Sequence, residues 1–141
     1  MEKQYFGEGL TYYDDGNSPG GKLIQITWKS QAGFIYEASN LDMIEEFKFT
    51  TTRNEGWGIT FDPGNRIFIV SDGSQYLHFW DADHPGKDKK KKVEVIRQNG
   101  QAAKKLNELE FVNGKVLANV WCVSKSVLME NVFFSSLLSF V

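Results

Sequence analysis

Cysteine, histidine and long apolar runs are scarce in this 141-residue sequence, and each scarcity removes a class of function. A single cysteine, Cys122, cannot form an internal disulfide, and with no histidine partner evident in the sequence it reads as a packing residue rather than a nucleophile. The two histidines, His78 in a strand-like segment and His84 in a lysine-rich one, make no metal-ligand pattern, so no zinc site is expected. No G-x-S-x-G string is present, and the GGK of Gly20–Lys22 lacks the spacing and the following Ser or Thr of a phosphate loop. A net charge of −2 gives no electrostatic case for nucleic acid. The opening MEKQYFGEGL holds no apolar core of the kind a secretory signal needs, so the compartment is not legible from the chain itself. The most apolar segment, VLMENVFFSSLLSFV (residues 127–141), is interrupted by Glu130 and Asn131 and is shorter than the roughly 20 residues that span a bilayer, so membrane contact is not expected.

What is present is a repeat. The segments EGLTYY (Glu8 to Tyr13), WGITFD (Trp57 to Asp62) and NELEFV (Asn107 to Val112) align at spacings of 49 and 50 residues. Leu10, Ile59 and Leu109 then coincide, followed by the aromatics Tyr12, Phe61 and Phe111. A second strand follows each copy, KLIQITW, RIFIVSD and KVLANVW, which aligns Trp28 with Asp72 and Trp121. The first two copies add a third strand, GFIYEA (Gly33 to Ala38) and YLHFWD (Tyr76 to Asp81). Asp14–Gly21 (DDGNSPGG) is a turn cluster, and Asp14, Asp15, Asp62, Asp72, Asp81 and Asp83 read as turn residues serving the backbone. His84–Lys92 (HPGKDKKKK) is expected as a solvated loop between repeats, leading into a strand at Val93–Arg97.

A period of roughly 40 to 50 residues built of several short strands is the signature of a β-propeller, each repeat being a four-stranded blade. The expected fold is therefore all-β, with residues 1–126 supplying about two and a half blades of a ring that needs about 4 to 8. Residues 127–141 do not continue the repeat and are expected to form a separate hydrophobic tail. Such a chain is either part of a larger protein or associates with other copies through its unclosed blades. Equivalent positions in successive blades face one axis, so Glu8, Trp57 and Asn107 are expected to converge on one pocket. Trp80 falls off that register and reads as structural, and tryptophans at strand ends can equally serve packing between blades.

The ordered strings FGEGL (Phe6 to Leu10), GFIY (Gly33 to Tyr36), GWG (Gly56 to Gly58), SDG (Ser71 to Gly73), LNELE (Leu106 to Glu110) and ANVW (Ala118 to Trp121) resemble plant and bacterial type glutaminyl-peptide cyclotransferases. The resemblance runs from about Tyr5 to about Ser124 and implies a five-bladed propeller. It implies conversion of N-terminal glutamine of peptides to pyroglutamate with release of ammonia, with no cofactor and no catalytic zinc. Peptides with N-terminal glutamine would be the partners, and the secretory pathway or the extracellular space the setting. Glu8 matches the family's catalytic residue; Trp28, Trp57, Trp121 and Asn107 match its substrate-binding residues, and Phe6 a pocket aromatic. The family's earlier blade, with an FTQGL-like segment, and its later blades, with a site lysine, have no counterpart here.

The chemistry suits these residues. Ring closure requires the α-amine to lose a proton as it attacks the γ-carboxamide and the leaving nitrogen to gain one, and a single carboxylate can relay both. Asn107 and the indole N–H groups are candidate donors to the carboxamide or its developing oxyanion. Two alternatives remain open at this stage: a non-catalytic propeller module that binds peptides or proteins, and an inactive truncated fragment of the enzyme.

Overall fold

Three antiparallel sheets succeed one another along the chain in the computed structural model, which describes residues 5–121 and 132–134. β1 (Gly7–Tyr13), β2 (Lys22–Thr27), β3 (Ala32–Glu37) and β4 (Met43–Lys48) form the first, each strand paired with the next. β5 (Ile59–Asp62), β6 (Ile67–Ser71), β7 (Tyr76–Asp81) and β8 (His84–Glu94) repeat that order in the second. The third consists of β9 (Leu106–Val112), β10 (Lys115–Val120) and β11 (Val132–Phe134). The two four-stranded meanders and the three described strands of the third sheet are propeller blades, and their first strands β1, β5 and β9 lie side by side. Among the described residues no helix is long and apolar enough to cross a membrane.

The blades are held face to face by two apolar layers. Between the first and second blades lie Ile24, Ile26, Phe47 and Phe49 on one side and Phe68, Val70 and Trp80 on the other. Between the second and third lie Ile67, Ile69, Leu77 and Phe79 against Leu106, Leu109, Val116 and Ala118. The middle blade is thus covered on both faces, which is why β6 reads as the unbroken apolar run IFIV: Phe68 and Val70 face one neighbour, Ile67 and Ile69 the other. Trp80, off the repeat register, is fully buried against Phe47 and Phe49 with ring centroids 6.3 and 5.1 Å away.

The outer strands depart from expectation. His84–Lys92 is not a loop but most of β8, the outermost strand of the second blade, which pairs with β7 from Asp81↔His84 to Tyr76↔Glu94. The lysines are solvated, as their charge requires, yet two also cover aromatic rings of β7: Lys90 lies 4.5 Å from the Phe79 ring centre and Lys92 4.5 Å from that of Tyr76. A charged outermost strand also blocks pairing with a further sheet edge. The expected strand at Val93–Arg97 shrinks accordingly: β8 stops at Glu94, Val95 turns into the second apolar layer, and Ile96 makes an isolated bridge to Ala102. β4, with four exposed residues before Phe47, has no counterpart in the sequence reading because only one face of it is covered. Of the expected tail, Val132–Phe134 pairs with β10 as β11, and the remaining positions lie outside the described residues.

Phe68 is fully buried between the first two blades, its ring 4.9 Å from that of Tyr13 and 5.3 Å from that of Phe61. Phe68→Ala is expected to cost about 3–5 kcal/mol of stability. Urea denaturation checks it; a loss under about 1 kcal/mol would mean that the blades do not depend on this layer.

Candidate active site

Phe6, Glu8, Trp28, Trp57, Asn107 and Trp121 line one cavity of about 540 Å³. Phe6 and Glu8 sit at the start of β1, Trp57 just before β5 and Asn107 at the start of β9, whereas Trp28 and Trp121 directly follow β2 and β10. Because first and second strands run antiparallel, all six fall at the same end of their blades.

A shared irregularity aims three of them. In the first blade Gly7 pairs with Thr27 and Leu10 with Gln25, so Glu8 and Gly9 together oppose the single residue Ile26. In the third, Leu106 pairs with Val120 and Leu109 with Ala118, so Asn107 and Glu108 oppose Asn119. In the second, Trp57 N–H donates to Ser71 O at 3.0 Å and Ser71 N–H to Gly58 O at 2.9 Å, placing Trp57 and Gly58 opposite Ser71. Each is a β-bulge, which bends the strand and re-aims a side chain. Glu8, Trp57 and Asn107 are therefore the first bulge residues of three successive blades.

The bulges are tied across the blades by their backbones. Gly9 N–H donates to Trp57 O at 2.8 Å. The Ser71 hydroxyl accepts from Gly58 N–H at 2.9 Å and donates to Asn107 O at 3.0 Å. Gly58 permits this contact, since a Cβ there would come 2.4 Å from Asn107 O. Trp57 lies over Gly73, whose φ of 75° and missing side chain leave room for the ring; an added Cβ would stand 2.5 Å from Cζ2.

One residue of the site was not foreseen from sequence. Glu55 Oε2 accepts hydrogen bonds from both Trp28 Nε1 (3.1 Å) and Trp57 Nε1 (2.8 Å). These two indole N–H groups are therefore engaged by the protein and do not stand as free donors in the cavity. Glu55 lies off the repeat register, in a loop, where a carboxylate reads as solvated. Phe6 meets Trp28 edge-on at 5.9 Å, and the Lys29 ammonium stands 4.0 Å from the Trp28 ring centre.

Electrostatics separate the carboxylates. Burial raises the Glu8 pKa above its ordinary value, and the like charge of Glu108 raises it further. Asp72, expected at the register of Trp28 and Trp121, lies one residue before it, since the pairing of Ile59 with Val70 gives that position to Gly73; it serves the turn and not the cavity, accepting from Arg53 N–H at 2.8 Å and from Ser74 N–H at 3.0 Å. Burial would push its pKa up, but hydrogen bonds involving His78, Ser74 and Arg53 hold it down at about 2. Replacing Glu108 by Gln is expected to lower the Glu8 titration midpoint while leaving it above the ordinary value of a glutamate, because burial persists. A ¹³C NMR titration of the Glu8 carboxyl reads this directly; an unmoved midpoint would show that the two charges do not interact.

Bulged first strands that turn a carboxylate, a carboxamide and aromatic rings into one cavity define a β-propeller with an aromatic-walled site around a perturbed glutamate. The chain belongs to the Glutamine cyclotransferase family, whose profile matches residues 1–131. It is 37% identical over 128 residues to the glutaminyl-peptide cyclotransferase of Arabidopsis thaliana, a match covering 89% of this chain and 36% of that protein. It is similar to the crystal structure of Myxococcus xanthus glutaminyl cyclase, with a TM-score of 0.67 and 30% identity over 83% of this chain and 44% of that one. The WD40 domain of Neurospora crassa Pan2 shares the fold alone, with a TM-score of 0.57 and 9% identity over 88% of this chain and 34% of that one. The chain thus spans about a third of the length of the curated relative it matches.

Proposed function

We propose that this site belongs to a glutaminyl-peptide cyclotransferase, with Glu8 as the catalytic residue and Phe6, Trp28, Trp57, Asn107 and Trp121 as substrate-binding residues. The observation that carries the reading is the placement of Glu8 and Asn107 on equivalent bulges, lining one aromatic-walled cavity of about 540 Å³. The substrate is a peptide whose first residue is glutamine. Its α-amine attacks the γ-carboxamide carbon, a new C–N bond closes the five-membered ring, and Glu8 accepts the proton that the amine sheds. Glu8 then returns a proton to the departing nitrogen as the old C–N bond breaks, releasing ammonia and pyroglutamyl peptide. A pKa raised toward the working pH suits a group that must both take and give a proton. The Asn107 carboxamide N–H is a donor for the carbonyl oxygen as it gains charge. Ring faces hold the flexible substrate folded for closure.

The test is ammonia release from a glutaminyl dipeptide by the 141-residue protein, with Glu8→Gln alongside. Glu8→Gln is expected to lower turnover by about 10² to 10⁴ fold while leaving dipeptide affinity nearly unchanged. Binding without any release by the parent chain would instead favour a peptide-binding module, or a fragment that lacks part of its catalytic wall.

The reading extends to assembly. Residues 1–126 are read as part of a propeller ring and 127–141 as a segment beyond the repeat, of which Val132–Phe134 nonetheless extends the third sheet beside β10; the secretory pathway or the extracellular space is what the family resemblance leads us to expect. Leu10 and Tyr12, each 53% exposed, are absent from the apolar layer that joins the first two blades. We expect copies of this chain to associate through that face. Sedimentation velocity over a concentration series checks it, and a monomer throughout would remove the idea.

A further inference from the structure

We propose that Glu55 is a positioning residue of this site, holding the indoles of Trp28 and Trp57 in one orientation so that they meet the substrate as apolar walls; the substrate part rests on the reading above. A single carboxylate oxygen accepts from two indole nitrogens carried by different blades, at 3.1 and 2.8 Å. Indoles have one polar atom each, and both are consumed. Neither indole is thereby left to hydrogen-bond the substrate, and Trp28 and Trp57 offer it their rings.

The geometry gives Glu55 an orienting task that packing alone does not perform. Trp28 is 37% exposed, and the outer torsion of a tryptophan side chain has broad, roughly two-fold minima, so partial burial leaves more than one ring orientation accessible. The bond to Glu55 selects one. Glu55 is itself fixed: its N–H donates to Thr51 Oγ1 at 3.1 Å, the Thr51 hydroxyl donates to Glu55 O at 2.8 Å, and its carboxylate lies 4.0 Å from the Arg53 guanidinium. The following residue, Gly56, donates its N–H to Thr27 O at 3.1 Å and Trp28 O at 2.9 Å, which anchors the loop to the first blade. The connection from one blade to the next therefore also sets the mutual orientation of a tryptophan from each.

The test compares Glu55→Ala and Glu55→Gln with the parent chain by three measurements. The first is the ¹H–¹⁵N spectrum of the indole N–H groups, with Trp28 and Trp57 assigned by Trp→Phe variants. Loss of a carboxylate acceptor is expected to move both resonances upfield in Glu55→Ala and to leave that of Trp80 in place. The second is glutaminyl dipeptide affinity, expected to weaken about tenfold in Glu55→Ala and to recover in part in Glu55→Gln, which keeps an acceptor oxygen. The third is kcat/KM against pH, expected to fall by about 10 to 10² fold without displacement of the acid limb, since Glu8 carries the proton.

Unmoved indole resonances, or unchanged affinity in Glu55→Ala with the fold intact, would overturn the proposal. So would a displaced acid limb, which would make Glu55 a proton carrier. If Glu8→Gln leaves turnover intact, the catalytic reading fails, yet the indole shifts and dipeptide affinity still decide the role of Glu55.

Discussion

The whole site depends on how closely the first strands of neighbouring blades approach. Ser71 is the pin: fully buried, it joins Gly58 N–H of its own blade to Asn107 O of the next. On the other side Gly9 N–H reaches Trp57 O. These bonds bind the three bulges into one row, so that Glu8, Trp57 and Asn107, distant in sequence, are spaced by backbone geometry rather than by contacts between their own side chains. Precision at a site of this kind is inherited from the scaffold. The apolar layers between blades supply the cohesion, and the row of bulges converts it into direction.

The four tryptophans show that residue type alone decides little. Trp80 is sealed between blades, where its large ring fills the layer with Phe47 and Phe49. Trp28 and Trp121 stand 37% and 55% exposed at the mouth of the cavity, while Trp57 is wedged over Gly73. The difference follows from register. Trp80 lies within a third strand, covered by the adjacent blade; the others lie where first and second strands meet the axis.

Much of this was legible in the sequence, for a physical reason. A propeller repeats its geometry, so positions that share a register share an environment, and the alignment of Glu8, Trp57 and Asn107 carried spatial information directly. Outer strands carried less. β4 and β8 bury little, so their sequences lack the apolar alternation that marks a strand, and the lysines of β8 hid a strand behind the charge pattern of a loop. Glu55 was hidden for another reason: it belongs to a connection between blades, which does not repeat, and its partners are indole nitrogens that no spacing rule brings together. Asp72 shows the converse. The sequence alignment set it beside Trp28 and Trp121, but with Ile59 paired to Val70 where Leu10 pairs to Gln25 and Leu109 to Ala118, their place falls to Gly73, one residue on, and the Asp72 carboxylate accepts from the backbone N–H groups of Arg53 and Ser74 instead.

The second residue of each bulge bears on the shape of the ring. In the first two blades it is glycine, and in both cases a neighbouring first strand sits where a side chain would have to go: an added Cβ at Gly9 would meet Ile59 N at 2.7 Å, and one at Gly58 would meet Asn107 O at 2.4 Å. In the third blade the same place is taken by Glu108, which is exposed. A strand following β9 around the axis cannot nestle as closely as its predecessors without displacing that side chain. The third blade thus presents a carboxylate where the first two present bare backbone, and its charge already reaches Glu8.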